Sequence, residues 1–355
     1  MKVVIYGAGK TGLKLAKSLY DEGADIVVID KDSKKLSIFI ERLDVLCVEG
    51  HIGEDSTVKK ADIKNAKVFV AVEDIDEENI IACMIAKRLG VKKTLARLRN
   101  PTYFDSNLFD YGAAGIDHIV NPEKEVAFEI FKIISTPLAT DVDSVVREKL
   151  SLLEMRVSDF EKDYLINKLH ILDETHNIIV INPIKNKLLF YDKNTHLSDE
   201  DFIYILHTTN DINSVNNLFY DRYPKIKNVM IIGGGQTASE LLKLLEKTRV
   251  NVKIFEISEK RCSILNNKHK KAMVLCGDAT DLDTLLQEEL EKIDCFISLM
   301  GDDENNMVLS IFAKHKGIRK VITKISKPYG TDLLDNIAIT VPVDINRVTV
   351  NKIRG

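Results

Sequence analysis

Gly7, Gly9 and Gly12, within "VVIYGAGKTGLKL", have the spacing with which a chain wraps a pyrophosphate, and Asp30 closes the next apolar run 18 positions beyond the third glycine. The first glycine permits a tight turn, the second lets backbone approach a phosphate, and the third lets the following helix pack close to the strand. The free N–H groups and partial positive charge at that helix N-terminus then face the phosphates. An acid ending the second strand accepts hydrogen bonds from ribose hydroxyls and repels a 2′-phosphate, so Asp30 favours NAD or adenosine nucleotides over NADP. A turn of this kind can also pack without ligand, and that reading stands beside the first.

Other residues suggest other chemistries. "GKT" at 9–11 invites a Walker A reading, but that motif needs a glycine five residues before the Gly9–Lys10 pair, and position 4 is valine. Lys10 instead faces a phosphate or a neighbouring subunit. Asp76 and Glu77, at the carboxyl edge of the sheet, read either as paired catalytic acids or as residues that cap the next helix, and capping is the expectation. Arg97 and Arg99 can reach a phosphate, stack on a base or serve the surface alone. Cysteines 47, 83, 262, 276 and 295 form no CxxC pair and no cysteine-histidine grouping of the kind zinc requires, so they are expected as reduced core thiols. His170, His176, His196 and His207 lie scattered among polar turns, without the constellation that proton transfer beside a nicotinamide needs.

The elements that must position the glycines occur twice. "VMIIGGGQTASEL" repeats the opening pattern, with Gly233, Gly235 and Ala238 answering Gly7, Gly9 and Gly12 at an offset of 226, and Glu256 answering Asp30. Further on, "VEDIDEENIIACMIAKRLG" is matched by "LMGDDENNMVLSIFAKHKG" at an offset of 227. In each copy short β-branched runs alternate with helical patterns, which predicts βαβ units and a parallel sheet covered on both faces. Between the copies, "NPEKEVAFEIFKIIST" starts with a proline at a helix N-terminus. The runs "EMRVSDF", "NIIVINPI", "KLLFY" and "FIYILHTT" then read as strands, with a final helix "DINSVNNLF". The fold class is therefore α/β, with two Rossmann-like doubly wound sheets and a small α+β module between them. The expected boundaries are 1–118 for the first Rossmann domain, 119–139 for a linking helix, 140–218 for the module, 219–340 for the second Rossmann domain, and 341–355 for the start of a further linking segment.

Composition agrees. At 355 residues the chain exceeds one ordinary core, and about one to two hundred residues per domain gives two or three. A net charge of −4 with mixed signs makes no case for nucleic acid. Residue 1 opens into a strand-like run that leaves no room for a signal peptide, and no apolar stretch approaches the roughly 18 to 20 residues that span a bilayer. The chain is expected to be cytoplasmic, without direct membrane insertion.

With these residues in place the chain resembles the TrkA family, the cytoplasmic regulatory subunits of Trk-type potassium uptake systems, built from RCK (KTN) domains. The resemblance runs over nearly the whole chain: "MKVVIYGAGKTG", Asp30, "VEGHIGE" and its counterpart "LCGDATD", "DEENIIACMIAKRLG", "RLRNP" and "VNPEKEVAFEIFKII". It implies that the paired domains are RCK N-domains and the module an RCK C-subdomain. It implies an NAD(H) site, with ATP or ADP as alternatives, at Gly7, Ala8, Gly9, Lys10, Thr11, Gly12, Asp30 and Lys31, with His51, Ile52, Val72, Glu73, Asp74 and Arg97 on the adenosine side. In the second copy it implies Gly233, Gly235, Gln236, Thr237, Glu256, Gly277, Asp278 and Ala279. His51 departs from the pattern, because the second copy and the family have aspartate there. The chain ends where a second C-subdomain would begin, so its assembly is expected to differ from that of longer members.

The function implied is that of a homo-oligomer, dimer or tetramer, which has no catalytic residues or metal and gates a Trk-type potassium-translocating membrane subunit at the inner face of the membrane. Two other readings stay open at this point: an NAD-dependent oxidoreductase, and a nucleotide sensor serving a different transporter.

Overall fold

The computed structural model describes residues 1–104, 109–136, 141–145, 150–208, 212–327 and 341–354. Residues 328–340, placed above within the second Rossmann domain, lie outside the described residues.

The chain divides into two compact units, Met1–Val126 with Asp344–Gly355, and Ala127–Val343. The first holds strands β1 (Lys2–Tyr6), β2 (Asp25–Asp30), β3 (Leu46–Glu49), β4 (Val68–Ala71), β5 (Lys93–Arg97) and β6 (His118–Val120). Helices α1 (Lys10–Asp21), α2 (Ser33–Arg42), α3 (Asp55–Ala61) and α4 (Asp76–Arg88) connect them. The strands pair in parallel in the order β3-β2-β1-β4-β5-β6. This is the doubly wound Rossmann order, whose switch point between β1 and β4 opens a crevice at the strands' carboxyl ends. Both faces are covered, so the strands are continuous apolar runs. Successive residues supply opposite faces: Val4, Tyr6, Val27, Ile29 and Phe69 enter one core cluster, and Val3, Ile5, Ile26, Val28 and Val70 the other.

Helix α5 (Pro122–Ser135) leaves this sheet, and from Ala127 on it belongs to the second unit. There β7 (Asp141–Val145), β8 (Leu150–Arg156), β9 (Asn177–Asn182), β10 (Lys187–Phe190) and β11 (Phe202–Thr208) form an antiparallel sheet ordered β10-β9-β11-β8-β7. Helices α6 (Lys162–Leu172) and α7 (Ile212–Phe219) complete this module. Leu165, Leu169 and Leu172 of α6, at helical spacing, share a core with Phe219, Ile203 and Ile205. The four expected strands are present, while β7 and α6 are additions that the sequence reading did not name.

The second Rossmann sheet repeats the first with β12 (Asn228–Ile232), β13 (Asn251–Glu256), β14 (Ala272–Cys276), β15 (Cys295–Ser298), β16 (Lys320–Ile325) and β17 (Val341–Asp344), ordered β14-β13-β12-β15-β16-β17. Its helices are α8 (Gln236–Leu245), α9 (Glu259–Lys268), α10 (Leu282–Leu286) and α11 (Asp303–His315). The expected fold class is thus the observed one.

One expectation is corrected. Cys262 on α9 and Cys276 at the end of β14 form a disulfide, whereas Cys83 and Cys295 are buried free thiols and Cys47 a half-buried one. Helix α9 runs back beside β14 and brings the two Cα atoms to 6.0 Å, within bonding range, although 14 residues separate them in sequence. Burial pushes the thiols of Cys83 and Cys295 up to about 12, which keeps them protonated.

The last helix, α12 (Ile345–Arg354), belongs to the first unit and packs along α1. Val350 joins the cluster that contains Leu15 and Ala16. Asn346 Oδ1 accepts the Thr11 hydroxyl at 2.9 Å, and Lys14–Asp344 and Arg354–Glu22 add ion pairs. Because Val350 is 5% exposed, Val350→Ala is expected to lower the stability of this unit by about 1–3 kcal/mol. Urea unfolding of the intact chain, with each unit followed by hydrogen exchange, checks this.

Candidate nucleotide sites

Both glycine turns adopt one backbone. Gly7 has φ +115° and Gly233 φ +97°, conformations that disfavour any side chain. The following cap residues match closely, Gly9 at φ −74°, ψ −173° and Gly235 at φ −73°, ψ −171°. The "GGGQTA" turn is therefore the same turn as "GAGKTG", although Ala238 replaces the third glycine. In the first copy a Cβ at Gly12 would stand 2.0 Å from the Gly7 carbonyl oxygen, so the helix there packs too close for a side chain, whereas the second copy accommodates Ala238. A Cβ on Gly9 or Gly235 would meet no atom within 4 Å, so those glycines border open space. Helices α1 and α8 start with no side-chain cap and no acid in the first turn. Their first N–H groups are free to receive an anion.

The two acids expected at the ribose are already engaged by main chain. Asp30 is fully buried, accepting the Ala8 N–H on Oδ2 at 2.7 Å and the Asp32 N–H on Oδ1 at 2.8 Å. Glu256, 5% exposed, takes the Gly234 N–H on Oε2 and the Ser258 N–H on Oε1, both at 2.8 Å. Each carboxylate braces its glycine turn and, with lone pairs to spare, keeps the remaining acceptor capacity near the crevice. Main-chain bonds extend the symmetry: Gly50 N–H to the Asp30 carbonyl and Gly277 N–H to the Glu256 carbonyl, each 3.0 Å.

The outer walls differ. In the first site Lys31 pairs with Glu78 at 2.9 Å and Arg97 reaches Asp74 at 3.3 Å. Glu73, 9% exposed, lies against Asp30, and burial together with the Asp30 charge raises its carboxyl to about 7. Tyr6 is shifted upward by burial and by the charges of Glu78 and Glu73. At the corresponding positions the second copy has Ile257, Lys324, Met300 and Ile232. His51 Nδ1 accepts the Gly53 N–H at 3.1 Å, the same local bond that Asp278 Oδ1 makes with the Thr280 N–H at 2.8 Å. The substitution therefore preserves the loop and changes the group it presents. Ala8, Ile52, Val72 and Ala279 are buried and can contribute only main-chain groups, whereas Lys10 is exposed. Thr11 and Thr237 are buried, and Thr11 directs its hydroxyl to Asn346. Arg97 Nε, Glu78 Oε2 and Gln236 Nε2 are buried polar atoms with no hydrogen-bond partner among the described residues.

The capping expectation for the "DEEN" stretch is corrected, whereas in "DDENN" Asp302 does cap its helix, accepting the Asn305 N–H at 2.8 Å. Asp76 caps nothing on its own helix; its carboxylate accepts from Arg99 and Asn100 N–H, as Asp303 accepts from Ser326 and Lys327. Asn79 accepts from Glu73 N–H and donates to the Glu73 and Arg97 carbonyls, and Asn306 does the same with Met300 and Lys324. Neither asparagine is among the residues expected at the site from sequence. Their recurrence after the fourth strand of each copy was the available signal, for they pin the loop that forms the crevice floor.

These features define a tandem Rossmann protein with two dinucleotide-type turns. The chain belongs to the TrkA family: residues 3–122 and 229–344 match the TrkA-N domain. It is 30% identical to a TrkA homolog 1 of Methanosarcina mazei over 99% of this chain and 88% of that one. It is also 30% identical to the Trk system potassium uptake protein TrkA of Vibrio alginolyticus, over 99% and 78%. Its fold is that of the GsuK RCK domain, with a TM-score of 0.68 at 16% identity over 99% of this chain and 75% of that one. Structures of the GsuK channel bound to NAD (TM-score 0.68, 16% identity, 99% and 63% coverage) and of GsuK bound to ADP (0.62, 14%, 99% and 68%) share it.

Two predictions follow from the geometry. Gly9→Glu and Gly235→Glu place an acid in open space beside the turn, and each is expected to abolish ligand binding at its own site while shifting Tm by less than about 2 °C. Calorimetry and thermal melting measure the two effects. Glu73 holds a proton in the fold that the unfolded chain has released, so the stability it contributes is full below about pH 4.5 and is lost as pH rises through about 7. Glu73→Gln is therefore expected to match wild type in Tm at pH 4.5 and to exceed it at pH 8.

Proposed function

We propose that this protein is the regulatory subunit of a Trk-type potassium uptake system, binding NAD(H) or adenine nucleotides at two sites and gating a potassium-translocating membrane subunit without catalysing a reaction itself. The observation that carries this reading is the pair of glycine turns: one backbone twice, each with an uncapped helix N-terminus, open space at the second glycine and a buried acid ending the next strand. The relatives' names, and neighbours of the same fold bound to NAD and to ADP, point to the same ligand class. Among the described residues no helix is long and apolar enough to cross a membrane, which fits action through a membrane partner.

In this reading Asp30 and Glu256 face the ribose of the adenosine half, while the first N–H groups of α1 and α8 hold the pyrophosphate. A 2′-phosphate would stand against a buried carboxylate, so NADPH is expected to bind at least tenfold more weakly than NADH. Gating requires that ligands differ in affinity for two arrangements of the subunit, so NADH and an adenine nucleotide are expected to act in opposite directions. The test combines calorimetry with capture of the encoded Trk-type membrane subunit, with and without nucleotide. Capture together with micromolar binding supports the proposal. Equal affinity for NADH and NADPH would sink the ribose assignment, and failure to retain the membrane subunit in any nucleotide state would sink the gating role.

A further inference from the structure

The disulfide lies within the second nucleotide site. Cys276 is the β14 residue in register with Glu256, and it directly precedes Gly277 and Asp278. Cys262 sits on α9, four residues after Ser258, whose N–H the Glu256 carboxylate accepts. Its sulfur lies 3.2 Å from the Glu256 carbonyl, the oxygen that takes the Gly277 N–H. The bond thus clamps α9 to the strand end on which the base-side loop hangs. The first copy has Leu36 and Glu49 at the corresponding positions and no such clamp. The two residues are unequally exposed, since Cys262 is 5% exposed whereas Cys276 is exposed.

We propose that the Cys262–Cys276 bond is a redox control on ligand affinity at the second site, opened and closed by exchange with a dithiol or low-molecular-weight thiol. This rests on the nucleotide reading of that site. A reductant thiolate attacks the sulfur of Cys276, the more exposed residue, the S–S bond breaks, and Cys262 leaves as a thiolate that takes up a proton. A second thiolate of the reductant then displaces Cys276, which is protonated in turn. Two electrons and two protons pass to the protein, and the reductant departs as its own disulfide. Once reduced, the Cys262 S–H can donate to the Glu256 carbonyl and compete with the Gly277 N–H. The closed bond preorganises the loop, so the oxidised site binds more tightly.

The test uses the full-length Gly9→Glu protein, in which the first site is silenced. NADH and ADP are titrated calorimetrically into oxidised and dithiothreitol-reduced samples, and alkylation followed by mass spectrometry reports the state of each cysteine. The expected result is a linked 262–276 peptide without reductant and at least fivefold weaker binding after reduction. The Cys262→Ser/Cys276→Ser protein should bind as weakly as the reduced form and ignore dithiothreitol. By linkage, saturating ligand should shift the dithiol–disulfide equilibrium toward the disulfide by the same factor. Affinities within twofold in the two states, tighter binding on reduction, or complete alkylation of both cysteines without reductant each overturn the redox proposal while leaving the site standing. Absence of binding in both states overturns the nucleotide reading of the second site and the proposal with it.

Discussion

A single buried carboxylate in each Rossmann domain holds the candidate site together. Asp30 and Glu256 each take two main-chain N–H groups, one from the glycine turn and one from the loop entering the next helix. Buried N–H donors left without an acceptor cost about 1–3 kcal/mol each, and bonds to a charged acceptor are among the stronger ones. The acid therefore sets where the turn sits relative to the second strand, and its own carbonyl fastens the third strand's end. Turn, helix N-terminus and the loop after the third strand inherit their positions from this junction. Glu256 has one more methylene than Asp30 and makes the same pair of bonds, so the geometry tolerates either side-chain length.

The parts of this architecture readable in sequence are those governed by local periodicity. Apolar runs such as Val68–Ala71 can be only buried strands when helices cover both faces, and the 226-residue echo multiplies the signal. The glycine turn was legible because Gly12 answers to the Gly7 carbonyl five residues back and Gly7 to its own positive φ, although a Cβ on Gly7 would also meet the distant Val72–Glu73 backbone. Contacts that depend on three-dimensional return of the chain were not legible. The bonds of Asp76 to the loop after β5, the engagement of Thr11 by Asn346 and the Cys262–Cys276 bond all join segments whose proximity the periodicity does not encode. Helix α6 was legible but not read: Leu165, Leu169 and Leu172 recur at helical spacing in "KDYLINKLHIL". Asp30 was read as a ligand residue alone, because sequence shows what a carboxylate can accept from outside and hides what the neighbouring backbone already gives it.

The terminal helix adds a constraint of a different kind. Through Asn346 it occupies the hydroxyl of Thr11, a residue of the glycine turn's own helix, while Val350 packs on that helix from the side. The first turn of α1 is thus held from the crevice by Asp30 and Ala8, and from behind by a segment more than three hundred residues away in sequence. A ligand that repositions this helix must work against both attachments.

The two candidate sites lie on one covalent chain, and their backbones agree while their walls do not. In a homodimer with an isologous interface any substitution appears on both sides of the twofold axis, so the halves cannot diverge. A tandem duplication removes that bond of symmetry. Here it has let Glu73 stand opposite Met300, His51 opposite Asp278, and a cysteine pair opposite Leu36 and Glu49. Each half is an independent locus for natural variation, free to change its chemistry without dragging its twin along.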